Sequence, residues 1–192
     1  MLFELRTYDL KPGKAPVYLE FFRTFGVALV SRHLPMGGYW MGESGRLNRI
    51  EHLWIYGSFE ERDACRAGLS AEQDWVSKFI PEAFVNVVAQ SNRIMQLVQS
   101  SETFDAVIAA RKSVHENQAS ASPMFSPDLQ GLTFSDAPQV SGTTLAQFRV
   151  ASGHSPGRYV TLSAGTPDAQ IADTENAVWH ELLRPLSLSP LR

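Results

Sequence analysis

The stretch Leu47-Asn48-Arg49-Ile50-Glu51-His52-Leu53-Trp54-Ile55-Tyr56 decides how this chain folds. It is rich in branched and aromatic residues and Gly57 closes it, which marks a strand. Strand side chains alternate between faces. Glu51, Leu53 and Ile55 therefore share one face, and Ile50, His52, Trp54 and Tyr56 share the other. The second face carries a ladder of large aromatic rings that water does not favour. Both sides of this strand need cover.

Upstream, Ser44-Gly45-Arg46 reads as a turn preceded by a short strand over residues 39–43. The run His33-Leu34-Pro35-Met36-Gly37-Gly38 ends a helix, because Pro and paired Gly do not continue one. That helix spans residues 15–32 and shows Tyr18, Leu19, Phe22, Phe25 and Leu29 as one apolar stripe. Before it, residues 2–9 alternate as a first strand. Downstream, Ser58-Phe59-Glu60-Glu61 is a capping box launching a helix to about residue 67, where Gly68 stops it. A second box, Ser70-Ala71-Glu72-Gln73, starts a stretch with Trp75, Val76 and Phe79, broken at Pro81 and resuming over 82–88. Residues 91–99 form the last strand. The order β-α-β-β-α-β predicts an α+β, ferredoxin-like module over residues 1–99, with both helices on one face of its sheet.

Sorting by parity puts Phe3, Leu5, Leu53 and Ile55 on one face, expected to lie beneath the helices. The other face carries Glu4, Arg6, Tyr8, His52, Trp54 and Tyr56, and this set suits either contact with a second sheet or the wall of a pocket. In the first case Trp54 and Tyr56 are packing anchors. In the second, Glu4, Arg6, Tyr8, Trp40, His52, Trp54 and Tyr56 bind a small molecule. Trp40 would reach the cavity mouth from the glycine-rich turn. Any catalysis would fall to His52 as general base and to Arg6 holding an anionic or enolate-like oxygen.

Residues 104–192 are less sharply patterned. A helix is expected over 102–115, a Ser/Ala/Pro-rich loop over 116–128, and strands over 129–135, 144–151 and 158–164. A helix over 173–183 and a tail punctuated by Pro185 and Pro190 follow. This region reads as α+β, in the manner of a shortened, degenerate second copy of the module.

Composition narrows the function classes. With 192 residues, 44% hydrophobic and 19% charged, the chain can bury a sizeable core. A net charge of −3 without any basic run argues against nucleic acid as a partner. The single Cys65 forms no internal disulfide, which suits a reducing compartment. No signal segment and no apolar run near the roughly 18 residues of a membrane span are seen, so a cytoplasmic protein is expected. The five histidines, His33, His52, His115, His154 and His180, fit no zinc spacing, and neither metal nor cofactor is expected. The segment Gly37-Gly38-Tyr39-Trp40-Met41-Gly42 lacks the lysine of a phosphate loop.

Two segments also resemble a known family. Phe3-Glu4-Leu5-Arg6-Thr7-Tyr8-Asp9-Leu10-Lys11-Pro12-Gly13 is similar to the opening of NIPSNAP domains. Residues 45–56, Ser58 to Arg62 and Arg66-Ala67-Gly68-Leu69 resemble their central segment. The likeness covers residues 1–99. It implies a dimeric α+β barrel, in which two ferredoxin-like sheets pack face to face, either between two copies of the chain or between its halves. The His52, Trp54 and Tyr56 face would then line the barrel interior. The family has no agreed reaction, so the resemblance implies a small-molecule binder of unassigned activity, with a homo-oligomer formed through the sheet face. A cofactor-independent monooxygenase or isomerase acting on a small aromatic or carbonyl compound is the alternative, and a structural interaction module the third.

Overall fold

A computed structural model describes residues 1–139, 141–172, 174 and 176–192. The chain opens with β1 (Leu2–Leu10), α1 (Ala15–Phe21), a π-helical turn (Phe22–Gly26) and α2 (Val27–Ser31). Next come β2 (Met36–Gly42), β3 (Arg49–Tyr56), α3 (Phe59–Ala71), a π-helical turn (Trp75–Phe79) and α4 (Ile80–Ala83), then β4 (Val87–Ser100). The second half holds α5 (Glu102–Ala110), β5 (Gln130–Ser135), β6 (Thr144–Gly153), β7 (Tyr159–Ser163), α6 (Pro167–Ala172) and β8 (Ala177–Pro185).

The first half follows the sequence reading closely. Ser58 caps α3 by accepting from the Glu61 N–H at 3.2 Å, while the Glu61 carboxylate accepts from the Gly57 N–H. The box thus closes one residue earlier than its usual form. Gly68 does not stop α3, which runs on to Ala71. Pro81 sits in the first turn of α4, where its missing N–H costs nothing.

The largest departure lies near the C-terminus. Of the helix expected over 173–183, Asp173 and Glu175 lie outside the described residues, and Ala177–Pro185 is a strand. Its Glu-Leu-Leu composition favours helix locally, but pairing with β5 on one side and β2 on the other overrides that preference. The helix expected over 102–115 ends at Ala110, and the following segment straps the first helix: Arg23 donates to the carbonyls of Ala119 and Ser120.

The eight strands close into one barrel in the order β1-β3-β2-β8-β5-β7-β6-β4. The first four strands lie as β4-β1-β3-β2 and the last four as β8-β5-β7-β6, so each half has the same internal order. The seams are β2 with β8 and β4 with β6, all antiparallel.

Closure reverses the expected faces. Phe3, Leu5, Leu53 and Ile55 do not lie under the helices. They point into the barrel, against Phe104, Leu132, Phe134, Phe148 and Leu162. The set containing Tyr8, Trp54 and Tyr56 packs instead beneath the helices, against Tyr18, Leu19, Phe22 and Phe79. Parity sorts side chains correctly but is silent on which layer covers which side. Here the second half takes the apolar face.

Candidate functional site

Residues facing the helices gather around His52. The register sets Arg6 of β1 directly opposite His52 of β3, and Tyr39 of β2 opposite it on the other side. Three neighbouring strands thus bring their side chains to one point. From above, α1 contributes Tyr18, α3 contributes Arg66 and Leu69, and the π-helical turn after it contributes Trp75. Together they line a partly open cavity of about 50 Å³. That is room for a few waters or a small ligand group.

Aromatic rings box the imidazole. Tyr39 stacks on it at 4.9 Å with planes 11° apart, and Tyr8 meets it edge-on at 4.7 Å. The Trp54 indole N–H donates to His52 Nδ1 at 2.6 Å. An indole only donates, so Nδ1 must accept, and the neutral ring carries its proton on Nε2. Nε2 is buried and has no hydrogen-bond partner among the described residues. Burial, reinforced by the Arg6 charge, holds the His52 pKa well below the ordinary histidine range.

Tyr18 and Tyr39 are neutral as well. Tyr39 donates its hydroxyl to Tyr18 at 3.3 Å, and burial pushes both phenols above their usual range. The Tyr56 hydroxyl, on the same sheet face, is buried without a partner.

Charge enters at one edge of the cavity. Glu4 is fully buried and accepts from Arg62 at 3.0 and 3.1 Å, from Arg66 at 2.7 Å, from Asn92 at 2.8 Å and from Arg6 at 3.3 Å. Burial alone would raise its pKa. The bonds from Arg62 and Asn92 and the charge of Arg66 instead hold it at about 2. Arg6 also donates to the Tyr8 hydroxyl and to Gln90.

Of the residues singled out in the sequence, the cavity wall brings together Arg6, Tyr8, His52 and Trp54. Glu4 and Tyr56 stand on the same sheet face, Glu4 beneath Arg66. Trp40 is elsewhere: it is buried inside the barrel and its indole N–H donates to Gln130 at 2.7 Å. Gly38 makes room for that indole, since a Cβ there would fall 2.0 Å from the ring. Parity missed Tyr18, Arg66, Leu69 and Trp75, which come from helical segments, and Tyr39, whose strand is too short to sort with assurance.

Two other places gather polar or open surface. Inside the barrel, Glu51 accepts from Thr7 at 2.7 Å near Arg93, Arg49 and Glu181, and its burial pushes its pKa up to about 8. The Arg93 guanidinium lies over Phe134 at 4.6 Å, so this cluster is packed rather than open. An open groove of about 800 Å³ runs between α1 and α4, lined by Val17, Phe21, Lys78 and Glu82 among others. It faces solvent and gathers no buried polar group, but Tyr18 is shared between its wall and that of the small cavity.

Comparison with known proteins bears on residues 3–102, which match the model of the NIPSNAP family. Mouse protein NipSnap homolog 3B is 38% identical over 97 residues, half of this chain and 39% of that protein. Human protein NipSnap homolog 3A is 32% identical over 99 residues, 51% of this chain and 40% of that protein. This chain therefore spans about two fifths of the length of these curated relatives. Among solved structures, protein Atu4242 from Agrobacterium tumefaciens is similar at 35% identity with a TM-score of 0.51. The match takes in 53% of this chain and 98% of that one. A second structure of Atu4242 is described as a NIPSNAP family protein with unknown function.

Proposed function

The chain belongs to the NIPSNAP family, and we propose that it binds a small molecule in the cavity between its first-half sheet and the helices above it. One observation carries this reading: the buried, partnerless Nε2 of His52. A donor left unsatisfied in the interior costs about 1–3 kcal/mol. A ligand oxygen accepting from Nε2 recovers that cost. Trp54 fixes the tautomer and Tyr39 and Tyr8 fix the ring plane, so the donor is held ready for its acceptor.

His52 acts here as a hydrogen-bond donor. With Nδ1 engaged by Trp54 and the proton on Nε2, the neutral ring offers no free lone pair, so the general-base role expected for it is not favoured. Oxygenase or isomerase chemistry through an enolate oxygen would use the same donors, His52 and Arg6. It would draw its base from outside the cavity wall.

We also propose that the barrel is a single-chain form of the dimeric α+β barrel. The matching strand orders of the two halves support it, with residues 104–192 as a shortened ferredoxin-like copy. The loop joining β5 to β6 stands where the first half has its long helix. The second half thus takes the place of a partner copy.

The binding reading is tested by titrating the protein with small carboxylic acids and their neutral amides and following tryptophan fluorescence, since Trp54 and Trp75 border the cavity. Saturable change that disappears in His52→Phe is expected. No response to any compound, or an unaltered response in the variant, overturns it.

A further inference from the structure

Charge around the cavity is unbalanced. Three guanidinium groups, from Arg6, Arg62 and Arg66, converge on one buried carboxylate, Glu4. Asp63 meets Arg62 at 3.5 Å but does so at the surface. Glu4 alone leaves two positive charges uncompensated, and counting Asp63 still leaves one. Buried or half-buried cations without counter-charge are costly, so a cluster like this suits an incoming anion.

The excess charge points at the cavity. Arg6 and Arg66 both line it, whereas Arg62 does not. Arg66 spends its Nη2 on Glu4 at 2.7 Å, while its Nε is buried with no partner. His52 Nε2 is likewise buried with no hydrogen-bond partner among the described residues. Both side chains line the cavity, one charged and one neutral, and among the described residues no carboxylate lines it. Burial keeps the Tyr18 and Tyr39 hydroxyls on its wall protonated.

From these features we infer that the ligand of the cavity is a small oxyanion, held between Arg66 Nε and His52 Nε2. This inference rests on the binding reading above and names the class of ligand. The cavity volume of about 50 Å³ limits the bound group to the size of a carboxylate or a comparable inorganic ion. Two sources share that chemistry: the carboxylate of a short organic acid and free phosphate.

The test is calorimetric titration of the full chain with formate, acetate and inorganic phosphate, beside formamide and acetamide as neutral shapes. Formate or acetate should bind at least about tenfold more tightly than its amide. Arg66→Gln should lose about that factor, and Arg66→Lys, which keeps the charge, should recover most of it. Phosphate binding more tightly than acetate assigns the source to phosphate and keeps the inference. Amides that bind as well as acids, with His52→Phe abolishing both, overturn the anion while the cavity reading stands. No binding by acids or amides overturns both. Thermal melts confirm that each variant is folded, and an Arg66→Gln variant that melts earlier yet binds acetate unchanged assigns Arg66 a structural role and overturns the inference.

Discussion

At the scale of single residues, the imidazole of His52 shows how a neighbour sets chemistry. Trp54 lies two positions along the same strand and so on the same face, and its indole N–H determines which nitrogen of His52 bears the proton. Nitrogen NMR should therefore show an Nε2-protonated neutral ring that does not titrate between about pH 5 and pH 8, where an ordinary histidine changes charge. In Trp54→Phe the Nδ1 position is released and a mixed tautomer is expected. A His52 titrating near the ordinary value would contradict the buried geometry. Glu51 makes a second prediction. Its pKa rises from 4.5 to about 8 on folding, so between those values the folded chain binds more protons than the unfolded one. Stability then falls as pH rises through that window and levels off above it. Glu51→Gln should flatten this slope and gain on the order of a few kcal/mol over the parent at pH 8.5, with little change at pH 4.5, read from thermal or urea melts. Glu4 acts oppositely: held at about 2, it supports the fold above about pH 4.5 and loses that effect as pH falls toward 2.

At the scale of elements, the helical layer rests on close approach. A Cβ on Gly26 would stand 2.4 Å from the Phe79 ring, which joins the two π-helical turns. Gly26→Ala should cost about 1–3 kcal/mol by overpacking, measured by chemical denaturation, although alanine favours helix. Ser58→Ala removes the cap of α3 and should cost about 1 kcal/mol in the same measurement. The strands and helices of the first half were legible because periodicity, caps and Pro or Gly punctuation agree there. The strand at Ala177–Pro185 was not, because its residues carry helix-forming local preferences and only pairing with β5 and β2 makes it extended. The candidate site was half legible for a similar reason. Parity grouped Arg6, Tyr8, His52 and Trp54, which share a strand face, but Arg66 and Trp75 reach them only through helix docking.

At the scale of the whole molecule, the barrel closes within one chain, and the apolar face of the first sheet is spent on the second half. A solution mass near the 21.3 kDa of one chain is expected from light scattering, and a stable dimer formed through that face would contradict the single-chain barrel. Ending the chain after Ser101 would bare Phe3, Leu5, Leu53 and Ile55 and unpair β2 and β4. The shortened chain should self-associate, visible as a shift to higher mass, because exposed strand edges and apolar faces seek partners.

The sequence by itself determined the NIPSNAP module, the alternation of its strands and the caps of its helices, since each depends on residues close along the chain, and strand parity with the strand order grouped Arg6 and Tyr8 with His52 and Trp54. Tertiary structure alone decided which sheet face meets the helices, where Trp40 lies, that Ala177–Pro185 extends, and that the partner sheet is the chain's own second half. Those outcomes depend on competition between surfaces far apart in sequence. Local patterning records that a face must be buried, but the burial partner is whichever distant surface removes the most apolar area from water.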